Sequence, residues 1–339
     1  MGKEISHIIL AEQSAGSLED SGKDPFVSVL RNFPHAFHFG SIAADTFFYG
    51  IRVPFLEKGF ACCGDKIHGT DGNDTSLPLL WMLHELKANP HDPLLHEKLA
   101  FTCGFLTHIA LDTVFHPCIY YLSGNYHHEC TEERIKAVTR HRLIESWLDL
   151  FVLGRASLTV GDCRFMENIR GNSPLNLELL RFFFNAFAST VQVDQYLWKY
   201  LHRGYSVQML LNSMYPSAFW GRLVGATNRI LKGRLDTFMA LFYPQNYGEI
   251  PSEIIDFEYF RHPVTGEEMK LNFNDLWERA QQRSLEFLEA VRIYVYGDGD
   301  LERLGKVIKG YSLSMGLVGV PASSAGYFDS VPMDRIWAY

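Results

Sequence analysis

The sequence predicts an all-α fold, a multi-helix bundle ending in a loop-rich tail, and three observations carry that reading. Strand signals are sparse, because few stretches alternate with period two and Val-Ile-Thr clusters bounded by turns are scarce. Long apolar segments suited to buried helices run through the chain, above all GFLTHIALDTVFHPCIYYLSG. Finally, His108, Asp112 and His116 recur at a spacing of four, the separation of neighbours on one helical face.

Taken in order, residues 3–14 form a first helix carrying His7, and residues 25–32 form a second, short one that Pro34 ends. The segment GSIAADTFFYG at 40–50 reads as a turn leading into a helix start, with Asp45 near its beginning. Residues 60–75, which include ACCGDKIHGTDGND, are rich in Gly and Asp and read as a loop presenting His68. Helices follow at 76–88, 92–116, 131–155, 175–202, 205–213, 216–242, 273–296 and 299–309. Pro117 disfavours helical geometry at the residue before it, so His116 is expected at a helix end. RHPVTGEEMKLNF at 261–273 suits a small hairpin around Thr265-Gly266, and the Gly-, Ser- and Pro-rich last thirty residues read as irregular. With no internal repeat and no linker, residues 1–296 are expected to form one helical domain. Residues 297–339 then form a helix and an irregular tail packed on it.

Composition bounds the function. A chain of 339 residues, 47% hydrophobic and 14% aromatic, can bury a large core in one or two domains. Its net charge of −8 counts against long nucleic acids, which call for a basic stripe. Small phosphate anions stay compatible with that charge if divalent cations reverse the local sign. The start MGKEISHIILAEQ lacks the pattern of a secretory leader, and no run of eighteen apolar residues exists. The six cysteines have neither C-x-x-C spacing nor the density of a disulfide scaffold. The expectation is a cytoplasmic protein with free thiols.

The chemistry lies in a set of metal-ligand types. Positions four apart on a helix drift only ~40° around the axis, so His108, Asp112 and His116 line one face over roughly 12 Å. His141-x-x-x-Glu145 repeats the spacing, and His7, Asp45 and His68 lie upstream, giving five imidazoles and three carboxylates. Such pairs can also be ordinary helix-surface contacts worth a few tenths of a kcal/mol. The neighbours Phe105, Leu106, Ile109, Ala110, Leu111, Val114 and Phe115 argue otherwise, since an unpaired carboxylate buried among them would cost several kcal/mol. A metal ion is the economical partner. A catalytic zinc takes three protein ligands and a water, so eight donors suggest two or three ions with Asp112 bridging.

Other candidates rank lower. His127 or His128, in the loop GNYHHEC, could replace His116 as a ligand. Phe47, Phe48 and Tyr49 either contact a substrate or pack in the core, and Phe182, Phe183, Phe184 and Phe187 read as core rather than a membrane patch. Di-iron carboxylate bundles use Glu-x-x-His pairs at spacing three, whereas this chain uses four.

The order His7, Asp45, His68, His108-x-x-x-Asp112, His116, His141-x-x-x-Glu145 resembles that of the bacterial zinc-dependent phospholipases C, and related fungal zinc nucleases share much of it. The segments SHIILAEQ, GSIAADTFFYG, GFLTHIALDTVFHP and RHPVTGEEMKLNFNDLWERA extend the likeness over roughly residues 1–296. The resemblance implies a phospholipase C/nuclease-like bundle with a metal cluster in a cleft. It puts Asp45, His68, His108 and Asp112 on one zinc, and His116, His141 and Glu145 on a second. His7 and Asp112 would hold a third, which in secreted members is completed by an N-terminal tryptophan; this chain starts Met1-Gly2 instead. It further implies that Asp45 orients or deprotonates the attacking water, in a metal-dependent phosphoester hydrolase of the phospholipase C type. The substrate is then a phospholipid or a related small phosphoester, and a lipid implies transient contact with a membrane surface. A nuclease or phosphatase on the same cluster, or a non-catalytic protein with a relic site, are the alternatives.

Overall fold

The computed structural model describes residues 3–18, 24–49, 61–191, 197–244 and 250–337, and these are mostly helical. Helix α1 (Glu4–Ser17) is followed by α2 (Pro25–Asn32), where Asp24 caps the first turn by accepting from the backbone of Phe26 at 2.8 Å. Pro34 does more than end α2. It occupies the first turn of a further helix, α3 (Pro34–Ala43), where its missing N–H costs nothing. Asp45 therefore follows a helix rather than a loop, inside a 3-10 turn over Ala44–Tyr49. The expected loop at 60–75 is likewise helical in its first half, as α4 (Ala61–Ile67), with His68 at the start of the turn beyond it.

Helix α5 (Ser76–Ala88) leads to the central helix, α6 (Leu95–Ser123), in which every residue from Leu99 to Ser123 except Val114 is buried. By length and composition α6 could cross a bilayer, but its apolar stretch is wholly enclosed by the fold. The helix does not stop at His116 as the sequence suggested; it runs through Pro117. Packing outweighs the local penalty there, and Gly316, at φ 68°, lies against the Thr113 carbonyl that Pro117 leaves without a donor. Helices α3 and α6 touch backbone to backbone. A Cβ on Gly40 would lie 2.0 Å from the Phe101 carbonyl oxygen, and one on Gly104 the same distance from that of Phe37.

Helix α7 (Thr131–Arg155) packs beside α6, and α8 (Phe165–Gly171) follows. The helix expected over 175–202 is two, α9 (Ser173–Thr190) and α10 (Leu197–Met214), the latter also absorbing 205–213. The helix expected over 216–242 is broken into α11 (Ala218–Ile230) and α12 (Asp236–Met239), because Lys232 and Gly233 turn the chain at φ 54° and 82°. After α13 (Ser252–Ile255), strands β1 (Phe260–Arg261) and β2 (Glu268–Met269) pair antiparallel around the expected turn. Helix α14 (Phe273–Tyr296) packs on α6 and α1, and α15 (Leu301–Ile308) packs on α14.

The tail, ending in α16 (Met333–Ile336), is irregular but tied down. Ala322 donates to the Thr70 carbonyl at 2.7 Å, Asp329 and Val331 donate to the end of α6 at 2.9 Å, and Trp147 of α7 donates to Ile336. Two apolar clusters share α6. One takes its core residues up to Ala110 and the other those from Leu111 to Leu122 except Tyr120, which packs with Met315 and Ala322, so the two meet beside Asp112.

Candidate metal centre

The eight expected donors converge, and each is at most 4% exposed. They fall into three sets, the ligand atoms of each within 4.8 Å of one another: Asp45, His68 and His108; His7, His108 and Asp112, which shares His108 with the first; and His116, His141 and Glu145, which shares none. Three helices and two turns bring them together. Helix α6 contributes His108, Asp112 and His116, α7 contributes His141 and Glu145, and α1 contributes His7. The close α3–α6 contact delivers Asp45, and the turn after α4 delivers His68.

Asp112 is the hub. Its carboxylate lies 3.4 Å from His7 Nε2, 3.2 Å from His108 Nε2, 3.8 Å from His68 Nε2 and 3.6 Å from His116 Nδ1. His68 Nε2 is also 3.2 Å from Asp45 and 3.4 Å from His108 Nε2. On the other side, Glu145 Oε1 is 2.9 Å from His141 Nε2 and 3.4 Å from His116 Nε2. The His7 and His108 rings stack at 4.2 Å between centroids.

Three of the imidazoles are oriented from behind. The carbonyl oxygens of Gly64, Ser41 and Leu313 lie 2.9, 2.9 and 2.8 Å from the Nδ1 atoms of His68, His108 and His116. A carbonyl only accepts, so each Nδ1 carries the proton and each Nε2 turns inward, the arrangement that fixes a metal-ligating histidine. Leu313 clamps two of them, since its own N–H donates to the His68 carbonyl at 2.8 Å.

Burial and the neighbouring carboxylates act differently on these rings. Burial, with the neighbouring His108, holds the His7 imidazole down to about 3, and burial takes His141 down to about 4, so both are neutral at pH 7. At His108 burial acts the same way, but the Asp112 and Asp45 carboxylates outweigh it and push the ring up to about 9. His116 is raised against burial by Asp112 and Glu145. In return, although burial alone would raise them, Asp112 is held well below the usual carboxylate range by His116 and His108, and Asp45 is lowered by His108 and His68.

These residues fit a metal. Both ring nitrogens of His7, both carboxylate oxygens of Asp45, Asp112 Oδ2 and His116 Nε2 are buried with no hydrogen-bond partner. Each such atom costs about 1–3 kcal/mol when left unsatisfied. Set side by side among three carboxylates, they could hold cations, and the mixture of imidazole and carboxylate donors suits zinc. His108 is the shared member of the first two sets, which adds it to the His7 and Asp112 expected for a third ion. Met1 and Gly2 lie outside the described residues.

The remaining candidates separate cleanly. His127 and His128 are exposed in the turn before α7, while His116 sits in the cluster. Phe47 is core, packed on Phe183 and Phe187, but the Phe48 ring lies 4.8 Å from His68, and Tyr49 donates to Glu4 at 2.5 Å. Phe182, Phe183 and Phe187 are buried, as expected of core residues. Sequence reasoning missed the three carbonyls, which leave no side-chain signature. It also missed Tyr120 and Tyr126, whose rings lie 5.3 and 5.4 Å from His141. Tyr120 continues the spacing of four one turn beyond His116, so that signal was present. The model of a family described as zinc dependent phospholipase C matches residues 6–206. No curated protein and no solved structure matches the chain.

Proposed function

We propose, from the premise that the chain belongs to the zinc-dependent phospholipase C family, that it is a metal-dependent phosphoester hydrolase acting as a phospholipase C-like phosphodiesterase with two or three zinc ions. The observation that carries this reading is the burial of three donor sets side by side, with His7, His68, His108 and His116 all within 3.8 Å of the Asp112 carboxylate. Asp45, His68, His108 and Asp112 would hold one ion, His116, His141 and Glu145 a second, and His7 with Asp112 a third. When bound, such ions supply a nucleophilic water at neutral pH and stabilise charge on the attacking and leaving oxygens.

The chain's own residues do the rest. Asp45 is ionised at neutral pH and lies 3.2 Å from His68 Nε2, so its carboxylate can orient the water and take its proton. Phe48, Tyr120 and Tyr126 give the site apolar walls. Burial pushes the Tyr120 phenol up to about 12, so it stays a donor and never a base at pH 7. Hydrolysis of a phospholipid would release diacylglycerol and a phosphorylated head group, and the net charge of −8 favours such small phosphoesters over long nucleic acids.

The test pairs elemental analysis with hydrolysis of a short-chain phospholipid and of single-stranded DNA, before and after chelation. Two or three zinc ions per chain, with lipid turnover lost on chelation and restored by zinc, is the expected result. Asp45→Asn should retain folding and lose roughly 100-fold or more in turnover, the scale of a positioned base. Stoichiometric zinc with no turnover would leave the metal-stabilised relic, and a chain that takes up no zinc sinks the proposal.

A further inference from the structure

Helix α11 is packed inside out. Its inward face carries Gly221, Val224, Gly225 and Asn228, with Gly221 set against Phe242 and Gly225 against Met239. Phe219, Leu223, Ala226 and Ile230 face outward, at the i, i+4, i+7 and i+11 positions of one stripe. Phe219 is 66% exposed and Ile230 79%, with Trp220, Leu223 and Leu231 exposed beside them. Core packing cannot account for this choice of residues, because the large apolar groups are the ones left in water.

Charge says what covers the stripe. Residues 218–235 contain Arg222, Arg229, Lys232 and Arg234 and no acidic residue, in a chain whose net charge is −8. All four are exposed, and among the described residues none makes an ion pair. Arg222 and Arg229, seven apart, run along one flank of the stripe, and Trp220 lies on the other. Insertable apolar residues bordered by cations and an indole match the boundary between anionic head groups and acyl chains. A second copy fits poorly, since an isologous contact would set this basic strip against itself.

The platform is also held rigidly to the metal centre. Asn228 bonds Asp236 at 2.7 Å, and it accepts from the Leu235 backbone at 2.8 Å, which locks α11 to α12. Arg142 of α7 donates to the Thr237 carbonyl, and Ser146 to that of Ala240, each at 2.8 Å. These anchors lie one residue from His141 and Glu145.

We propose that the outward face of α11, with Lys232 and Arg234, docks on an anionic phospholipid surface and fixes the metal centre relative to it. This deepens the proposed function, and its first readout, vesicle binding, does not depend on turnover. Co-sedimentation of the full chain should be strong with vesicles containing phosphatidylglycerol, weak with phosphatidylcholine alone, and reduced by salt. The Arg222→Gln/Arg229→Gln double variant should lose about fivefold in partitioning for each charge removed. Phe219→Ser/Ile230→Ser should lose roughly tenfold or more, the direction expected when buried apolar area is removed from the interface. Both should melt like the parent, because every altered side chain is exposed. Turnover of a monomeric short-chain lipid should be unchanged while turnover of vesicle lipid falls. Equal binding to neutral and anionic vesicles overturns the proposal, as do variants that bind like the parent or a dimer that the apolar variant dissolves. A parent chain that turns over lipid without docking on anionic vesicles removes this inference alone; a parent that docks without any turnover removes the hydrolase reading alone.

Discussion

At the scale of single residues, the buried polar groups that are not ligands set the pH response. Glu4 is 2% exposed and accepts from Tyr49 at 2.5 Å and Asn212 at 2.7 Å on the same oxygen. Burial raises its carboxyl from 4.5 to about 7 despite those two donors. The folded state therefore holds this proton more tightly than the unfolded chain. Stability from Glu4 is fully present below pH 4.5 and is lost as pH rises through 7. Glutamine keeps an oxygen for both donors and never ionises. The stability of Glu4→Gln relative to the parent should thus grow by about 2–3 kcal/mol between pH 4.5 and 8, at ~1.4 kcal/mol for each pH unit separating the folded and unfolded carboxyl. Urea unfolding at both pH values checks this, and a constant difference refutes it. Residue identity was also where the sequence spoke most clearly. The ligand types at spacing four announced His108, Asp112, His116, His141 and Glu145, because helix geometry alone makes such residues neighbours. Leu313 was beyond reach, since what it contributes is a backbone carbonyl at a distance set by the fold.

At the scale of elements, small residues decide how the site is assembled. Gly104 lets α6 meet α3, and the same stretch of α3 supplies the Ser41 carbonyl to His108 and leads into Asp45. Gly104→Ala puts a Cβ 2.0 Å from a backbone oxygen, so the helices must part. A loss of about 1–3 kcal/mol or more is expected, with weakened zinc uptake because Asp45 and His108 move apart. Gly154→Ala is the control: it lies exposed on α7 with nothing within 4 Å of its Cβ. It should be neutral or stabilise by up to ~1 kcal/mol. Melting curves and zinc stoichiometry on both variants separate the close contact from a general effect of removing glycine. The places where sequence and structure part belong to this scale too. The local preference of Pro117 points to a helix end, and the packing on both sides of α6 overrides it. The break after α11 was legible in Leu231-Lys232-Gly233, a glycine placed to end a helix, but continuous apolar character concealed it. That same character hid the fact that the apolar side of α11 faces out.

At the scale of the whole molecule, the metal centre lies where the two apolar clusters meet, so its charges bear on the entire fold rather than on one loop. Without cations, the carboxylates of Asp45 and Asp112 and the rings of His7 and His116 keep buried atoms with no hydrogen-bond partner at the junction of α1, α6 and α7. Ions that bind the folded chain and not the unfolded one stabilise it by mass action, about 4 kcal/mol for each site at a thousandfold excess over its Kd. For a chain of this size a change of that order moves the midpoint by several degrees. Chelation should accordingly lower the melting temperature of the whole protein in one cooperative transition, and zinc should restore it in proportion to occupancy. Because α6 belongs to both clusters, probes in each half must shift together; Trp81, beside Phe182, and Trp277, beside Phe115, report on the two sides. A drop confined to one probe, or none at all, would mean that the cluster is an insert in a core that stands without it.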